Sequence, residues 1–514
     1  YGSPEVIFPR RPVDMVADKY LIRLSGKKSA KITVKIGKMV STGFCIRMSD
    51  DMKPWLKVTP SMGNINSGDT VTLTLEVVGD VKYTKNGMVL FRLDDGFSIP
   101  ITIMEYTMMF RQIYYSWVLA GFLVLMGCSE QPIVKAVPLE YSIKVAEAIM
   151  SRYDSIVHHM DHLDKRTSWQ YDYALLAEAI GKLERYTNNP VYGEYMKDFF
   201  DYYVDSVGNI RYYKLEEYNL DKIRPAVPLF SLYEETGDSC YANALHLEIK
   251  QLETHPRTAE RGYWHKKIYP HQMWLDGVFM ASPFMAEYAE VFGQPQWFDE
   301  AVRQITLIYT KTLDPKTGLL YHAWDESKTQ RWANPENGQS RHFWGRATGW
   351  YMMAIVDVLD FLPEDHVGRD SLISIFVNVA ESLMKVQDPE SKLWFQVLDC
   401  GGIEGNYLEA SGSSMFIYSF AKGVRKGYLQ PSYLKVAHEA FDGIIANLMK
   451  NDENGNLVLT QICGGCGLGG IPYREGDYQY YVTEKIVEND PKGIAPFILA
   501  GIELHEADVA KLEE

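Results

Sequence analysis

Cysteine, basic residues and long apolar runs are all scarce in this chain. Six cysteines in 514 residues are too few for a framework of disulfides to organise the fold. Lys and Arg number 52 against 67 Asp and Glu, which gives a net charge of −15. Because there is no basic surface to neutralise phosphates, nucleic acid is excluded as a partner. An anionic sugar is not excluded, since one or two local cations suffice to bind it.

The longest apolar run has the layout of a bacterial secretory signal. It extends from Ile113 to Met126 after the basic Arg111, and its length of about 14 residues is short of the roughly 20 of a membrane-spanning helix. Leu125–Cys128 resembles a lipobox, in which the cysteine becomes the lipidated N-terminus. We therefore expect 108–137 to be a lipoprotein signal and linker. Lipidated Cys128 would attach the protein to a membrane, in the periplasm or at the outer membrane. A buried or linking helix is the alternative.

A secretory signal in the middle of a chain calls for an explanation. The first residue, Tyr1, is not a start methionine, whereas a methionine opens the apolar segment. Our hypothesis is that 1–107 and 109–514 are two reading frames joined together. An intact native product that retains residues 1–107 would contradict this hypothesis.

A chain of this length predicts more than one domain, and the first, residues 1–107, reads as all-β. Ala30–Ile36 and Thr70–Val77 alternate apolar and polar residues, the period of a half-buried strand. A small immunoglobulin-like β-sandwich is the predicted fold. Trp55–Gly63 followed by Thr70–Val77 resembles the carbohydrate-associated BACON-type modules of Bacteroidetes proteins.

The remainder, 138–514, is helical in pattern throughout. Amphipathic helices are predicted at about 140–160, 169–187, 190–206, 222–236, 239–254, 277–292, 296–312, 345–361, 369–387, 409–427, 432–450 and 491–506. Twelve helices joined by short loops predict a mainly α fold, in which six helical hairpins close into an (α/α)6 toroid. An open solenoid is the alternative, and the lack of a motif repeated at a fixed period counts against it.

The segment Trp264–Pro283 gathers the side chains best suited to chemistry. It contains two His, two Trp and Asp276, and an apolar helical run follows. A carboxylate at a helix start either caps the helix or faces a ligand. A second cluster, His342–Trp350, adds aromatic rings and Arg346. This combination suits a sugar acid, because rings cover the apolar faces of a pyranose and an Arg binds a carboxylate through two hydrogen bonds.

Further candidates lie in other loops of the helical region. Asp221 begins a predicted helix, and with Asp276 it forms a pair of carboxylates suited to acid–base work at a glycosidic centre. A helix cap is the alternative for Asp221, and a structural role is the alternative for His322. Arg346 and Trp350 are four residues apart and share a helical face. A buried ion pair is the alternative for Arg346.

The glycine-rich segment Cys463–Gly470 resembles two kinds of site without fitting either. It is not a phosphate loop, because no Gly-Lys-Ser/Thr follows. It is not a zinc site, because a single Cys-x-x-Cys lacks a second pair of ligands. We interpret it as a loop beside the cleft, in which a disulfide between Cys463 and Cys466 is an option under oxidising conditions. Tyr473–Tyr481 adds aromatic residues and an Arg that border the substrate.

Taken together, residues from about 140 to 514 resemble glycoside hydrolase family 105, the unsaturated rhamnogalacturonyl hydrolases. The matching segments follow one another in order along the chain: Trp264–Tyr269, Trp274–Gly277, Tyr321–His322, Trp344–Trp350, Tyr480–Tyr481 and Asp490–Gly493. Ala347 and Thr348 stand where the family more often has Gly-Asn, a difference that leaves Arg346 and Trp350 in place. The β domain and the apolar segment lie outside the resemblance.

The resemblance implies an enzyme that hydrates a 4,5-unsaturated uronic acid at the non-reducing end of an oligosaccharide made by a polysaccharide lyase. Asp276 would protonate C4, and water would add at C5 while Asp276 or Asp221 helps to deprotonate it. The hemiketal then opens and the glycosidic bond breaks. Asp276 and Asp221 are the implied catalytic residues, and no cofactor or metal is implied. The implied substrate-binding residues are Tyr171, His265, Trp274, Met280, His322, Trp344, Arg346 and Trp350.

Three other functions fit parts of this pattern. An unsaturated glucuronyl hydrolase would use the same chemistry on another lyase product. A sugar epimerase would need two histidines placed as acid and base, for which His265 and His322 are candidates. A non-catalytic sugar-binding lipoprotein would keep the aromatic residues without needing Asp276 and Asp221. The sequence leaves open the uronyl unit, the sugar that follows it and the oligomeric state.

Overall fold

The computed structural model describes residues 15–17, 21–23, 29–36, 43–48, 52–64, 69–78, 85–93, 98–105, 137–162 and 168–513. They belong to a mainly β unit, which ends at Val137 and with which 185–188 and 508–513 also group, and to a helical unit that begins at Pro138. The signal-like segment 108–137, with Cys128, lies outside the described residues except for Val137. Within the described ranges, no helix combines the length and apolarity needed to cross a bilayer.

The β unit consists of two sheets that share one core. Its strands are β1 (Met15–Ala17), β2 (Leu21–Arg23), β3 (Ser29–Ile36), β4 (Gly43–Met48), β5 (Leu56–Thr59), β6 (Met62–Asn64), β7 (Thr70–Val77), β8 (Lys85–Leu93) and β9 (Ser98–Glu105). The sheet orders are β1-β3-β7-β5 and β2-β9-β8-β4-β6. Ile32 and Leu73 of the first sheet are fully buried in one cluster with Phe91 and Ile101 of the second. The predicted β-sandwich is therefore confirmed.

The helical unit follows the predicted helices closely. Its helices are α1 (Pro138–Arg152), α2 (Ile156–His162), α3 (Tyr171–Gly181), α4 (Glu184–Thr187), α5 (Val191–Tyr203), α6 (Pro228–Thr236), α7 (Ser239–Thr254), α8 (Leu275–Val291), α9 (Gln296–Thr312), α10 (Gly345–Phe361), α11 (Arg369–Met384), α12 (Ala410–Arg425), α13 (Ser432–Leu448), α14 (Tyr478–Thr483) and α15 (Pro491–Glu513). Short strand pairs join the loops: β10 (Gln272–Trp274) with β11 (Ala323–Asp325), β12 (Met449–Asn451) with β13 (Leu457–Leu459), and β14 (Ile462–Cys463) with β15 (Ile486–Val487).

The helices form an inner and an outer ring. Nearly every residue of α8, α10 and α12 is buried, as expected for helices that are apolar all round. Each packs on its inner neighbour and on an outer partner, α9, α11 or α13. The ring closes because Arg425 of α12 pairs with Glu503 of α15, and Lys492 of α15 lies 3.5 Å from Asp172 of α3. Closure excludes the open solenoid, and the (α/α)6 toroid is confirmed.

The structure differs from the predicted elements in local detail. The predicted helix 140–160 is divided into α1 and α2, because the Ser155 hydroxyl accepts from the His158 N–H and starts a new helix. The predicted helix 169–187 is likewise divided, since α3 ends at Gly181. A Cβ at Gly181 would lie 2.4 Å from the sulfur of Met196, so glycine permits α3 to approach α5.

Candidate active site

A short two-stranded sheet fixes the start of α8. β10 and β11 pair antiparallel with Trp274 opposite Ala323, and the Leu275 N–H donates to the His322 carbonyl at 3.1 Å. This pairing places Asp276, in the first turn of α8, with its Oδ2 3.2 Å from His322 Nε2. Trp274 is the N-cap of α8, so the capping alternative for Asp276 is wrong.

A second backbone pairing positions the other carboxylate. Asp221 lies in a 3-10 helix (Leu220–Lys222) that Asn219 caps, and a β-bridge joins Asn219 to Lys266. The Asp221 carboxylate lies 2.5 Å from Lys266 Nζ and 3.4 Å from His265 Nε2. Burial would raise the pKa of Asp221, but the Lys266 ammonium and His265 outweigh it and lower the pKa. Asp221 is therefore ionised, and it is not a helix cap.

Trp274 stands between the two carboxylate–histidine pairs. The His265 ring stacks on it at 4.5 Å with an interplanar angle of 15°, while the His322 ring meets it nearly edge-on at 5.5 Å. Burial lowers the pKa of His265 to about 4, although the charge of Asp221 opposes that shift. His265 is thus neutral at neutral pH. Tyr269 also stacks on Trp274, at 5.0 Å.

Arg346 supplies a cation at the start of α10. Its guanidinium lies 4.9 Å from the ring of Trp344 and donates to the Ser411 hydroxyl at 3.3 Å and the Cys463 carbonyl at 2.8 Å. Burial would lower the pKa of Arg346, but the nearby Cys463 and Glu409 raise it. Neither hydrogen-bond partner is a carboxylate, so these contacts leave the positive charge without a direct counter-ion.

Tyr171, Trp350 and Met280 extend the site across three inner helices. Tyr171, the first residue of α3, lies edge-on to Trp350 of α10 at 5.9 Å, and Trp350 stacks on Phe279 of α8 at 4.6 Å. Burial is the main cause that raises the pKa of Tyr171, and the charges of Asp221 and Asp276 add to it. Met280 is buried one turn after Asp276.

Exposure separates Asp221, Lys266 and Asp276 from the supporting rings, whereas Arg346 is as buried as the rings. The side chains of Asp221, Lys266 and Asp276 are 21%, 21% and 13% exposed. His265, His322 and Trp350 are buried. A ligand that enters the site therefore meets two carboxylates and an ammonium, which the buried rings hold in position.

Comparison with known proteins identifies the family to which this chain belongs. The model of Glycosyl Hydrolase Family 88 matches residues 141–507. The chain belongs to this family. A solved glycoside hydrolase of family 105 from C. acetobutylicum ATCC 824 is 44% identical, with a TM-score of 0.68 over 71% of this chain and 99% of that one. Unsaturated rhamnogalacturonyl hydrolase YesR from Bacillus subtilis is 26% identical over 63% of this chain and 92% of its own. The unsaturated glucuronyl hydrolase from Bacillus sp. GL1 shares the fold, with a TM-score of 0.53. It is 11% identical, and the match covers 72% of this chain and 96% of its own.

The predicted resemblance to family 105 is thereby confirmed. The protein is a glycoside hydrolase, and the alternative of a non-catalytic sugar-binding protein is wrong.

In this family 88 hydrolase, the fold brings nine of the ten predicted site residues into one cluster, and the tenth, Met280, is buried one turn after Asp276. Trp274 links the histidine of each carboxylate pair, and the His322 ring lies 4.8 Å from that of Trp344, beside Arg346. Their roles in binding and catalysis remain predictions.

Two residues of the site were missed in the sequence. Lys266 pairs with Asp221, and Gln396 accepts from Trp344 Nε1. Tyr481, from the segment predicted to border the substrate, has its Oη 2.8 Å from His322 Nδ1. Lys266 adjoins His265 in the segment that predicted the site, so its position was the one signal available. Gln396 carries no sequence signal, because its role depends on contacts with distant segments.

Gln396 also joins the cysteine pair to the site. Its amide nitrogen donates to Cys463 Sγ at 3.1 Å and to the Tyr481 carbonyl at 3.1 Å. The sulfurs of Cys463 and Cys466 lie 3.5 Å apart and both thiols are free, so the structure shows the reduced pair. The hydrogen bond from Cys466 and the charge of Arg346 lower the pKa of Cys463 to about 7, against the effect of burial.

Proposed function

We propose that Asp276 protonates C4 of a 4,5-unsaturated uronic acid and that water then adds at C5. Its family makes the protein a glycosidase that removes an unsaturated uronic acid from the products of polysaccharide lyases. The observation that carries the proposed mechanism is the pair of carboxylates on either side of Trp274, each facing its own histidine.

The two carboxylates suit different steps of this reaction. Protonation of the enol ether at C4 leaves an oxocarbenium-like cation shared by C5 and the ring oxygen. Asp221, ionised through Lys266 and His265, supplies a fixed negative charge that stabilises the cation. Water adds to C5 and loses a proton to the Asp276 carboxylate, which restores the acid. The hemiketal opens, and the glycosidic bond then breaks without further catalysis.

Arg346 and Lys266 are the cations suited to the substrate carboxylate. Arg346 is held by Ser411 and the Cys463 carbonyl, and this orients its guanidinium before substrate arrives. Lys266 is partly exposed beside Asp221. Two cations at the site explain how a chain with a net charge of −15 binds an acidic sugar.

A substrate with a sulfur-linked glycosidic bond distinguishes hydration of the double bond from hydrolysis at the anomeric carbon. A thioglycoside resists acid catalysis at its weakly basic sulfur, whereas hydration of the C4–C5 double bond does not involve that atom. We expect turnover of the thioglycoside within about tenfold of the oxygen-linked substrate, followed through loss of the ultraviolet absorbance of the double bond. Failure to process the thioglycoside, with normal turnover of its oxygen analogue, would refute the hydration mechanism.

For the substrate, we propose an unsaturated galacturonyl unit linked to rhamnose. The name of the relative YesR supports this choice, as does the confirmed resemblance to family 105. Lyase products of rhamnogalacturonan, glucuronan-type polymers and ulvan, compared at equal concentration, test it. The highest kcat/KM on the rhamnogalacturonan product is expected, and preference for a glucuronyl product would contradict the proposal.

For the location, we propose lipidation at Cys128 and attachment to a bacterial membrane. The support is the sequence alone, since Cys128 lies outside the described residues. Intact mass of the native protein should show a lipid-modified chain beginning at Cys128, which Cys128→Ala should abolish. A native product that keeps residues 1–107 would contradict both this cleavage and the joining of two reading frames.

A further inference from the structure

Tyr481 is a buried group that the proposed mechanism has not yet used. It lies in α14, which Asp477 caps and which Gln396 holds through the Tyr481 carbonyl. The Tyr481 ring is fully buried, 6.0 Å from that of His322, and its hydroxyl lies 2.8 Å from His322 Nδ1. That hydrogen bond joins two residues 159 positions apart.

The direction of this hydrogen bond follows from the phenol. Burial is the main cause that raises the pKa of Tyr481 well above its usual value, and the nearby Cys466 and Tyr480 add to the shift. The hydroxyl therefore keeps its proton. A phenol beside a neutral imidazole is the stronger acid, so Tyr481 donates and His322 Nδ1 accepts. An imidazole that accepts at Nδ1 carries its proton on Nε2.

The proton on His322 Nε2 lies beside the carboxylate of Asp276. Nε2 lies 3.2 Å from Asp276 Oδ2, although the N–H is not in line for a regular hydrogen bond. Both atoms are buried, and neither has another hydrogen-bond partner among the described residues. Leaving two buried polar atoms unsatisfied destabilises the site, so a small rotation that joins them is favoured.

We infer that Tyr481 is a positioning residue that decides which oxygen of Asp276 delivers the proton. Tyr481 holds His322 in the Nε2–H tautomer, and Oδ2 of Asp276 is thereby kept as an acceptor. The transferable proton is confined to Oδ1. This inference rests on the proposed function, because it assigns a task to the proton of Asp276.

Loss of the phenol reverses this arrangement. Without a donor at Nδ1, His322 is free to hold its proton there and to present an unprotonated Nε2 to Asp276. The proton of Asp276 then bonds to Nε2 from Oδ2 and is withdrawn from the substrate. Binding contacts are unchanged, so the effect falls on kcat and not on KM.

Tyr481→Phe tests the inference against a matched buried tyrosine. Tyr351 is also fully buried and loses a single hydrogen bond, to the Ile305 carbonyl, when changed to Phe. We expect Tyr481→Phe to lower kcat about 10- to 100-fold with KM within about twofold, and Tyr351→Phe to leave both within about twofold. Equal losses in the two variants, or a change confined to KM, would overturn the positioning role.

The tautomer of His322 gives a second readout that does not depend on activity. Nitrogen-15 spectra of labelled protein, assigned with His322→Gln, should show His322 protonated on Nε2 in the wild type and a new Nδ1-protonated population in Tyr481→Phe. A wild type protonated on Nδ1 would overturn the inference. Inactivity of the wild type towards unsaturated uronyl substrates, with the expected tautomer, would instead count against the proposed function.

Discussion

Asp276→Asn is expected to lower kcat by about 1,000-fold while KM changes little. Asn keeps the shape of the side chain beside His322 but has no acidic proton, and general acids contribute roughly 10²- to 10⁴-fold to a rate. Asp276 is the sole proton donor to C4 in the proposed mechanism, and the expected loss lies in the middle of that range. Absorbance of the C4–C5 double bond during incubation with lyase-treated rhamnogalacturonan measures the effect.

Asp238→Asn is the matched control, because Asp238 does cap a helix. It accepts from the Cys240 N–H at the start of α7, and Asn caps helices about as well as Asp. Turnover by Asp238→Asn should equal that of the wild type. Equal turnover by wild type and Asp276→Asn would show that Asp276 is not the acid, and the proposed mechanism would fail.

The toroid was predictable because each of its helices carries its own periodic signal. α9, for example, buries Phe298, Ala301 and Ile305 on one face and leaves the other to solvent, a spacing that needs no knowledge of the partner. The short strands were not predictable, since three residues such as Ala323–Asp325 form a strand only once β10 lies beside them.

The residues of the site also differ in whether local sequence could predict them. Asp276, His265 and Trp274 lie within one segment, and local clustering was enough to find them. The residues that support them come from far along the chain: Tyr481 reaches His322, and Gln396 reaches Trp344. A tyrosine or glutamine has many structural uses, so only the closed ring reveals these contacts. Likewise, only the folded structure shows the ion pair of Lys266 with Asp221.

Asp221→Asn is expected to lower kcat about 100-fold, the second-largest effect of a single substitution at the site. The variant loses a fixed negative charge beside the developing cation, and it leaves Lys266 and His265 without their carboxylate. Preorganised charges of this kind are worth roughly 10²- to 10³-fold, and Asn retains part of the polar contact. Asp201→Asn is the control, because Asp201 likewise pairs with a lysine, Lys197 at 2.5 Å, and Asn can still accept from Tyr241; this variant should not affect kcat.

The pH dependence of Asp221→Asn distinguishes a fixed charge from a titrating base. The pKa of Asp221 lies below the usual 3.8 of an aspartate, so the wild-type carboxylate is charged throughout the weakly acidic and neutral range. The ratio of wild-type to variant kcat should therefore stay constant above about pH 5. Because folding lowers the pKa of Asp221, its ionised carboxylate stabilises the folded state above about pH 3.8. That contribution disappears as the pH falls through the lowered pKa of the folded protein. The free energies of unfolding of the two proteins should thus differ at neutral pH and converge in strong acid. A kcat ratio that rises with pH through the neutral range would mean that Asp221 titrates there, and its assignment as a permanent counter-charge to the cation would be wrong.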